Sequence, residues 1–206
     1  TAYHHPELVD QISERVLALP KTSWIGAQTG VETGSPRLME QHMRGKSLPA
    51  KPNIWHDIVV ESLSHLSDSG WVLACTMVVG LPGETEEDVL MTQELVDELK
   101  DLRVFLVPMN FVAMGDSGLS LAESFTVEKM TPAHWALLGS CIEHDVRLAR
   151  GLRDAVYTGS WPLRVLGRYV SEKLIRGGEE FARSLKGGTS PPEYSSSTKS
   201  YLIPDL

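Results

Sequence analysis

Cysteine is scarce in this 206-residue chain, which carries only Cys75 and Cys141, far apart in sequence. Two such residues rule out a disulfide framework and form no metal-ligand pattern, so a cytosolic, reducing setting is expected. Long apolar runs are missing as well. The longest, 71–82 and 104–109, fall short of a bilayer span, and no secretory signal opens the chain. Basic charge is in deficit: the net charge is −8, so a broad nucleic-acid surface is not expected. No internal repeat is evident. The chain begins at Thr1, with no strand ahead of its first helix, and a piece of something longer is the expectation. What is there is ordinary for a globular protein: 42% apolar and 22% charged residues, enough for one core domain with a helical appendage.

The most informative stretch is Trp71 to Glu84, WVLACTMVVGLPGE, followed by TEEDVLMTQELVDELK. A near-continuous apolar run closed by turn residues suits a strand covered on both faces, as in a parallel sheet. Thr85 is placed as N-cap, with Glu86, Glu87 and Asp88 opposing the positive helix end. Val89, Val96 and Leu99, with Leu90 and Leu95 beside them, give that helix an apolar stripe. Between strand and helix, Gly80-Leu81-Pro82-Gly83 brings bare backbone to the strand's C-terminal mouth, where α/β folds bind ligands.

A second stretch, Ser23 to Gly34, reads SWIGAQTGVETG. In an extended chain Gly26, Gln28, Gly30 and Glu32 share one face. Glycines leave space beside a strand, so either a large ligand lies there and takes hydrogen bonds from Gln28 and Glu32, or this is an edge strand with a solvated face. Ser35 then reads as an N-cap and Pro36 as the first residue of a short helix, whose N–H groups would suit an anion. Arg44 and Lys46 either complement that helix's negative end or, in the case of Arg44, reach a ligand carboxylate.

The other elements follow from periodicity. A helix is expected over 5–19, with Leu8, Ile12, Val16 and Leu19 inward; another runs from a cap at Asn53 to Ser69, stopped by Gly70. Residues 103–114 read as a strand, and Pro108 within it suggests an edge or a bulged position, hence the last strand of an open sheet. A long helix from Thr131-Pro132 to about Arg150 turns Trp135, Leu138, Ile142 and Val146 inward. Cys141 reads as core, and its spacing from His144 is weak as a metal signal. A further helix is expected over 161–186 and disorder over 187–206. Three β-to-α alternations imply a parallel sheet, or about half of a barrel.

Taken together, QTGVETGSPRLMEQHMRGK, MVVGLPGETEEDVLMTQELVDELK and LVPMNFVAMG resemble the second half of a radical SAM enzyme. The likeness covers residues 1–150 and is nearest the branch that often carries a cobalamin-binding-type domain. It implies an α/β chain forming the C-terminal half of a partial (β/α)6 barrel, with 151–186 as a helical extension. It also implies S-adenosylmethionine held beside a [4Fe–4S] cluster and reductive cleavage to a 5′-deoxyadenosyl radical, with cobalamin as an optional further cofactor. Carried over, Gln28, Glu32 and Ser35 would meet the ribose and methionine parts, and Arg44 the methionine carboxylate. Val78, Gly80 and Gly83 would lie beside adenine, with Glu84 offset from the usual spacing, and Met109 to Phe111 would offer backbone to its edge. The family's Cys-x3-Cys-x2-Cys loop does not occur here, and two distant cysteines cannot hold such a cluster. The N-terminal remainder of the same enzyme would therefore be the partner, and this chain alone would be inactive. EKMTPAHWALLGSCIEHDV, with GSPRLMEQHMRGKSLPAKP, is similar to archaeal members that modify membrane lipids, which implies a long apolar substrate and peripheral membrane contact. The competing reading is a small nucleotide- or phosphate-binding module built on the Ser35 helix start and the Gly80–Gly83 turn; it lacks a phosphate-loop Lys-Ser/Thr and a dinucleotide fingerprint.

Overall fold

The computed structural model describes residues 2–114, 118–119, 122–156 and 161–191, with side chains described for all of these except 153–156 and 161–166. Helix α1 (Pro6–Leu17) leads to strand β1 (Ile25–Glu32), the short helix α2 (Pro36–His42) and helix α3 (Trp55–Asp68). Strand β2 (Trp71–Val79), helix α4 (Glu86–Glu98), strand β3 (Val104–Asn110) and the long helices α5 (Pro132–Val156) and α6 (Trp161–Lys186) complete the order. The three strands form one parallel sheet in the order β1-β2-β3. This is a mixed α/β fold with a small open sheet. The part of the expected disordered tail over 192–206 lies outside the described residues. Among the described residues, no helix is long and apolar enough to cross a membrane.

The helices pack on one face of the sheet. Alternation sends Leu73, Cys75, Met77 and Val79 of β2 to that face, where they join Ile58, Val59 and Leu63 of α3, Val89, Leu95 and Val96 of α4, and Leu137 and Cys141 of α5. Each such side chain, removed from water, contributes about 1.5–3 kcal/mol. The opposite face carries Gly26, Gln28 and Gly30 on β1, a buried Val72 with half-buried Ala74, Thr76 and Val78 on β2, and a half-buried Phe105 with Val107 and Met109 on β3. Of these, Gly26, Gln28, Val107 and Met109 are exposed. The central strand, expected to be covered on both faces, is thus covered fully on one side only, because among the described residues no helix packs against Ala74 and Thr76.

Further expectations need correction in the helices. In α1, Val9 and Ser13 are the buried residues, while Leu8, Ile12 and Leu19 are exposed. The reason is polar: Ser13 Oγ donates to Val9 O at 2.6 Å and accepts the indole N–H of Trp71 at 2.8 Å, which turns that face inward. Leu90 of α4 is likewise exposed, and Thr92 takes an inward place. Asn53 caps no helix; it sits in a short 3-10 turn, Pro52–Ile54, ahead of α3.

The β3 edge is closed by side chains of α5. His144 Nε2–H donates to Val104 O at 2.7 Å, and Leu106 N–H donates to Asp145 Oδ1 at 2.8 Å. Backbone groups of alternate residues point the same way, so Pro108 also turns its nitrogen, which carries no hydrogen, to this outer side. The proline therefore costs the sheet no ladder bond. His144 is buried and kept in its neutral form, chiefly by desolvation, against the favourable bond to Val104.

Helices α5 and α6 form an antiparallel hairpin. At Gly139 an added Cβ would come within 2.8 Å of Ala182 O, and at Gly178 within 2.7 Å of a Val146 methyl. These two glycines let the helices approach closely, and α5 runs past Arg150 to Val156.

Candidate functional site

The C-terminal mouth of the sheet is organised by Asp88. Thr85 and Asp88 form a reciprocal capping box at the start of α4: Thr85 N–H donates to Asp88 Oδ2 at 2.8 Å, and the Asp88 N–H returns to Thr85 Oγ1. The same carboxylate accepts Ser35 Oγ–H at 2.5 Å and the Arg37 guanidinium, through Nε at 3.2 Å and through Nη2. Arg37 Nη2 also donates to Gly83 O at 2.8 Å, and His42 Nε2 to Pro82 O at 2.8 Å. One buried carboxylate thus ties the α2 start to the α4 start, and Arg37 and His42 hold the Pro82-Gly83 elbow. Burial pushes the Asp88 carboxyl up, but the hydrogen bonds from Arg37, Ser35 and Thr85 outweigh it and hold it well below the usual carboxylate range.

The turn after β1 is held as tightly. Thr33 Oγ1 lies 3.1 Å from Thr92 Oγ1, and Gly34 N–H donates to Thr92 Oγ1 at 3.0 Å. An added Cβ on Gly34 would stand 2.5 Å from Met91 O, so only glycine lets the turn touch the α4 backbone. Trp55 Nε1–H reaches Val31 O at 3.2 Å and Thr33 O at 3.0 Å.

At the end of β1 the pairing slips between Gly30 and Glu32, and Glu32 adopts left-handed backbone with φ 68°. The bulge breaks the simple alternation expected for Glu32. Its side chain nonetheless folds back over Gly30, where its carboxylate meets Lys46 Nζ. A methyl on Gly30 would collide with both groups. Gln28 is exposed and borders a groove of about 410 Å3 that also runs past Thr29, Gly30, Lys46, Trp55 and Leu63. Glu32 and Gly80 end adjacent parallel strands, so both stand at the same mouth.

The remaining expected residues are placed as follows. Ser35 is fully buried, caps α2 by accepting Leu38 N–H, and bonds Asp88. Arg44 lies in the 3-10 turn Arg44–Lys46 after α2, pairs with Glu40 of α2 at 2.5 Å, and its side chain is 72% exposed. Val78 borders a small apolar cluster of Leu38, Leu81 and Phe111 that fills part of the mouth. Gly83 has left-handed backbone, φ 78°, and its carbonyl is held by Arg37. Phe111 N–H donates to Val79 O at 2.8 Å, and Phe111 O accepts Phe125 N–H at 2.9 Å. Met109 stands exposed on the open face.

Gly80 is covered. Its N–H donates to Glu84 Oε2 at 2.7 Å, and the ring of Phe125 occupies the space where a Cβ would be. Thr131 N–H donates to His134 Nδ1 at 3.0 Å, so the ring proton sits on Nε2 and is given to Glu84 Oε2, 3.0 Å away. Phe125 and His134 rings lie 5.0 Å apart. The donors expected of a phosphate module, at Ser35 and Gly80, thus face the chain's own carboxylates, Asp88 and Glu84.

Arg37, Lys46, Asp88 and His134 carry this geometry without having been singled out for it. A signal existed for one of them: Asp88 stands three residues after the cap Thr85, the capping-box spacing. The other three are long-range contacts with no local pattern. Both cysteines are buried in the core, and desolvation pushes their thiols up to about 12. Among the described residues, no group of three His, Cys, Asp or Glu side chains could hold a metal ion. Compared with models of known protein families and with curated proteins, the chain matches none.

Proposed function

We propose that this chain is the C-terminal half of a radical SAM enzyme core, the second half of a partial (β/α)6 barrel, and supplies contacts to S-adenosylmethionine. The observation that carries the reading is the bare face of the sheet. Its helices cover one side only, the other carries glycine, alanine, threonine and an exposed glutamine beside the apolar Val72, Val78, Phe105, Val107 and Met109, and among the described residues β1 has no strand partner on its outer edge. A half-barrel has this surface: an interior face trimmed for a ligand and an edge on which the missing strands would pair.

The residues present fit such a ligand. The Glu32–Lys46 pair fills the space that Gly30 leaves, and from there it would offer a carboxylate and an ammonium to the amino acid part. Gln28 is free to hydrogen-bond a ribose hydroxyl, and Val78 and Met109 offer apolar surface to adenine. Lys46 stands nearer this face than Arg44, which is engaged by Glu40. S-adenosylmethionine would supply a carbon radical on reductive cleavage. The reducing [4Fe–4S] cluster does not fit this chain, whose two thiols are buried and held protonated, so it belongs to the N-terminal remainder. A long apolar lipid is the substrate class, reached by a cytoplasmic enzyme at a membrane surface, with cobalamin as an optional second cofactor.

Calorimetric titration of S-adenosylmethionine tests the reading. Weak or no binding is expected for this chain alone, and binding restored when the N-terminal half carrying three closely spaced cysteines is added. Tight binding by the chain alone, or none by the reconstituted pair, would sink it.

A further inference from the structure

Far from the strand mouth, the α5–α6 hairpin carries a second feature independent of the reading above. Glu143, Arg147 and Arg150 on α5 recur at helical spacing, and Glu179, Arg183 and Lys186 do the same on α6. The two stripes face each other across a cleft of about 450 Å3. Its ends are closed by cross-helix ion pairs, Lys186 Nζ to Glu143 Oε2 at 2.6 Å and Arg150 Nη2 to Glu179 Oε1 at 2.8 Å.

The antiparallel register that makes those pairs leaves Arg147 and Arg183 as the middle rung, opposite each other. Arg147 reaches only Lys100 O, at 3.4 Å, and Arg183 makes no hydrogen bond or ion pair among the described residues. Both lie near enough to Glu143 to help hold its carboxyl low, behind the stronger hydrogen bond from Lys186 and the opposing effect of burial. The cleft therefore holds four cations against two carboxylates, in a chain whose net charge is −8. Facing like charges repel and are costly unless an anion lies between them. Guanidinium groups are suited to that anion, since each presents a planar fork to two oxygens of one phosphate.

We propose that the α5–α6 cleft binds a phosphate-type oxyanion between Arg147 and Arg183. The oxyanion is either a soluble phosphate compound or the phosphate monoester head group of a lipid, which share this chemistry. The paired Lys186 and Arg150 flank it and leave the cleft open to the rest of the ligand.

Thermal melting and calorimetry of the full chain with inorganic phosphate, against sodium chloride at matched ionic strength, provide the test. Phosphate should raise Tm in a saturating way while chloride does not. Arg147→Gln and Arg183→Gln should each weaken phosphate binding about tenfold or more, consistent with loss of one charge-assisted fork. Arg176→Gln, which disturbs only the Glu172 pair elsewhere on α6, should bind as the parent does. Cosedimentation with phosphatidic acid vesicles, competed by inorganic phosphate, would assign the oxyanion to a lipid head group. Cosedimentation no greater than with phosphatidylcholine vesicles, with the phosphate response intact, would assign it to a soluble compound. Equal responses to phosphate and chloride would overturn the proposal, as would an undiminished phosphate response in Arg183→Gln.

Discussion

The two edges of the sheet are finished in opposite ways. At β3, neighbouring side chains of α5 take the place of a further strand: His144 bonds the Val104 carbonyl, Asp145 bonds the Leu106 amide, and Pro108 has no hydrogen to offer. At β1, Ile25 N–H and the Thr29 carbonyl turn toward β2, and alternation then sends the amides of Gly26, Gln28 and Gly30 outward. There an exposed Gln28 borders an open groove. An edge closed by side chains ends a sheet, whereas one left open invites another strand. The contrast says on which side the fold would grow.

The first way to break this comparison is amide hydrogen exchange. The Leu106 amide should exchange on the order of 10³-fold more slowly than that of Gln28, reflecting global rather than local opening. Addition of the proposed N-terminal half should slow Gln28 and leave Leu106 unchanged. Equal rates at the two positions in the chain alone would erase the distinction.

Removing the buried hub beside β1 gives the next largest effect. Asp88→Ala strands Ser35, Thr85 and Arg37, and should cost about 3 kcal/mol in urea unfolding. A cost within the range of an ordinary surface substitution would show that the network is decoration. His144→Ala should cost about 1–3 kcal/mol, because it leaves the Val104 carbonyl without its donor and opens a cavity. Exchange at Leu106 should quicken in that variant while Gln28 stays as it was.

The two edges should also differ in the sign of their pH dependence. Asp88 sits below its usual range when folded, so its contribution is present above about pH 4 and is lost as pH falls further. Burial pushes Asp145 the other way, up to about 7, against the Leu106 hydrogen bond. Its ionisation therefore lowers stability as pH rises from about 4 to 7. Asp145→Asn keeps an acceptor for Leu106 and removes the charge. It should be the more stable protein at pH 8 by about 1 kcal/mol, after allowance for partial solvent screening, with the gain vanishing near pH 4. A variant less stable than the parent at pH 8 would mean that the Asp145 charge is needed.

Local chemistry made much of this readable in advance. The strand at 71–79, the Thr85 cap, the edge character of the Pro108 strand and the helix over 161–186 all rest on patterns within one element. Where a second element competes, periodicity within one helix does not decide which residues face inward. Leu8, Ile12 and Leu90 look inward by periodicity, yet Ser13 and Thr92 hold the inward places because each finds a hydrogen-bond partner across the interface. At the site, Gln28, Glu32 and the Gly80–Gly83 elbow were visible as glycine-spaced or turn sequences. The bulge at Glu32, its Lys46 partner and the Phe125 ring over Gly80 were not.

By itself, then, the amino-acid order determined the elements, their parallel α/β arrangement and the burial of both cysteines, because apolar period and capping residues act over a few positions. Tertiary structure alone decided which strand edge is closed, which carboxylates are spent internally and which arginines face each other across α5 and α6. Those outcomes depend on side chains brought together from distant parts of the chain, and no short-range pattern encodes that meeting.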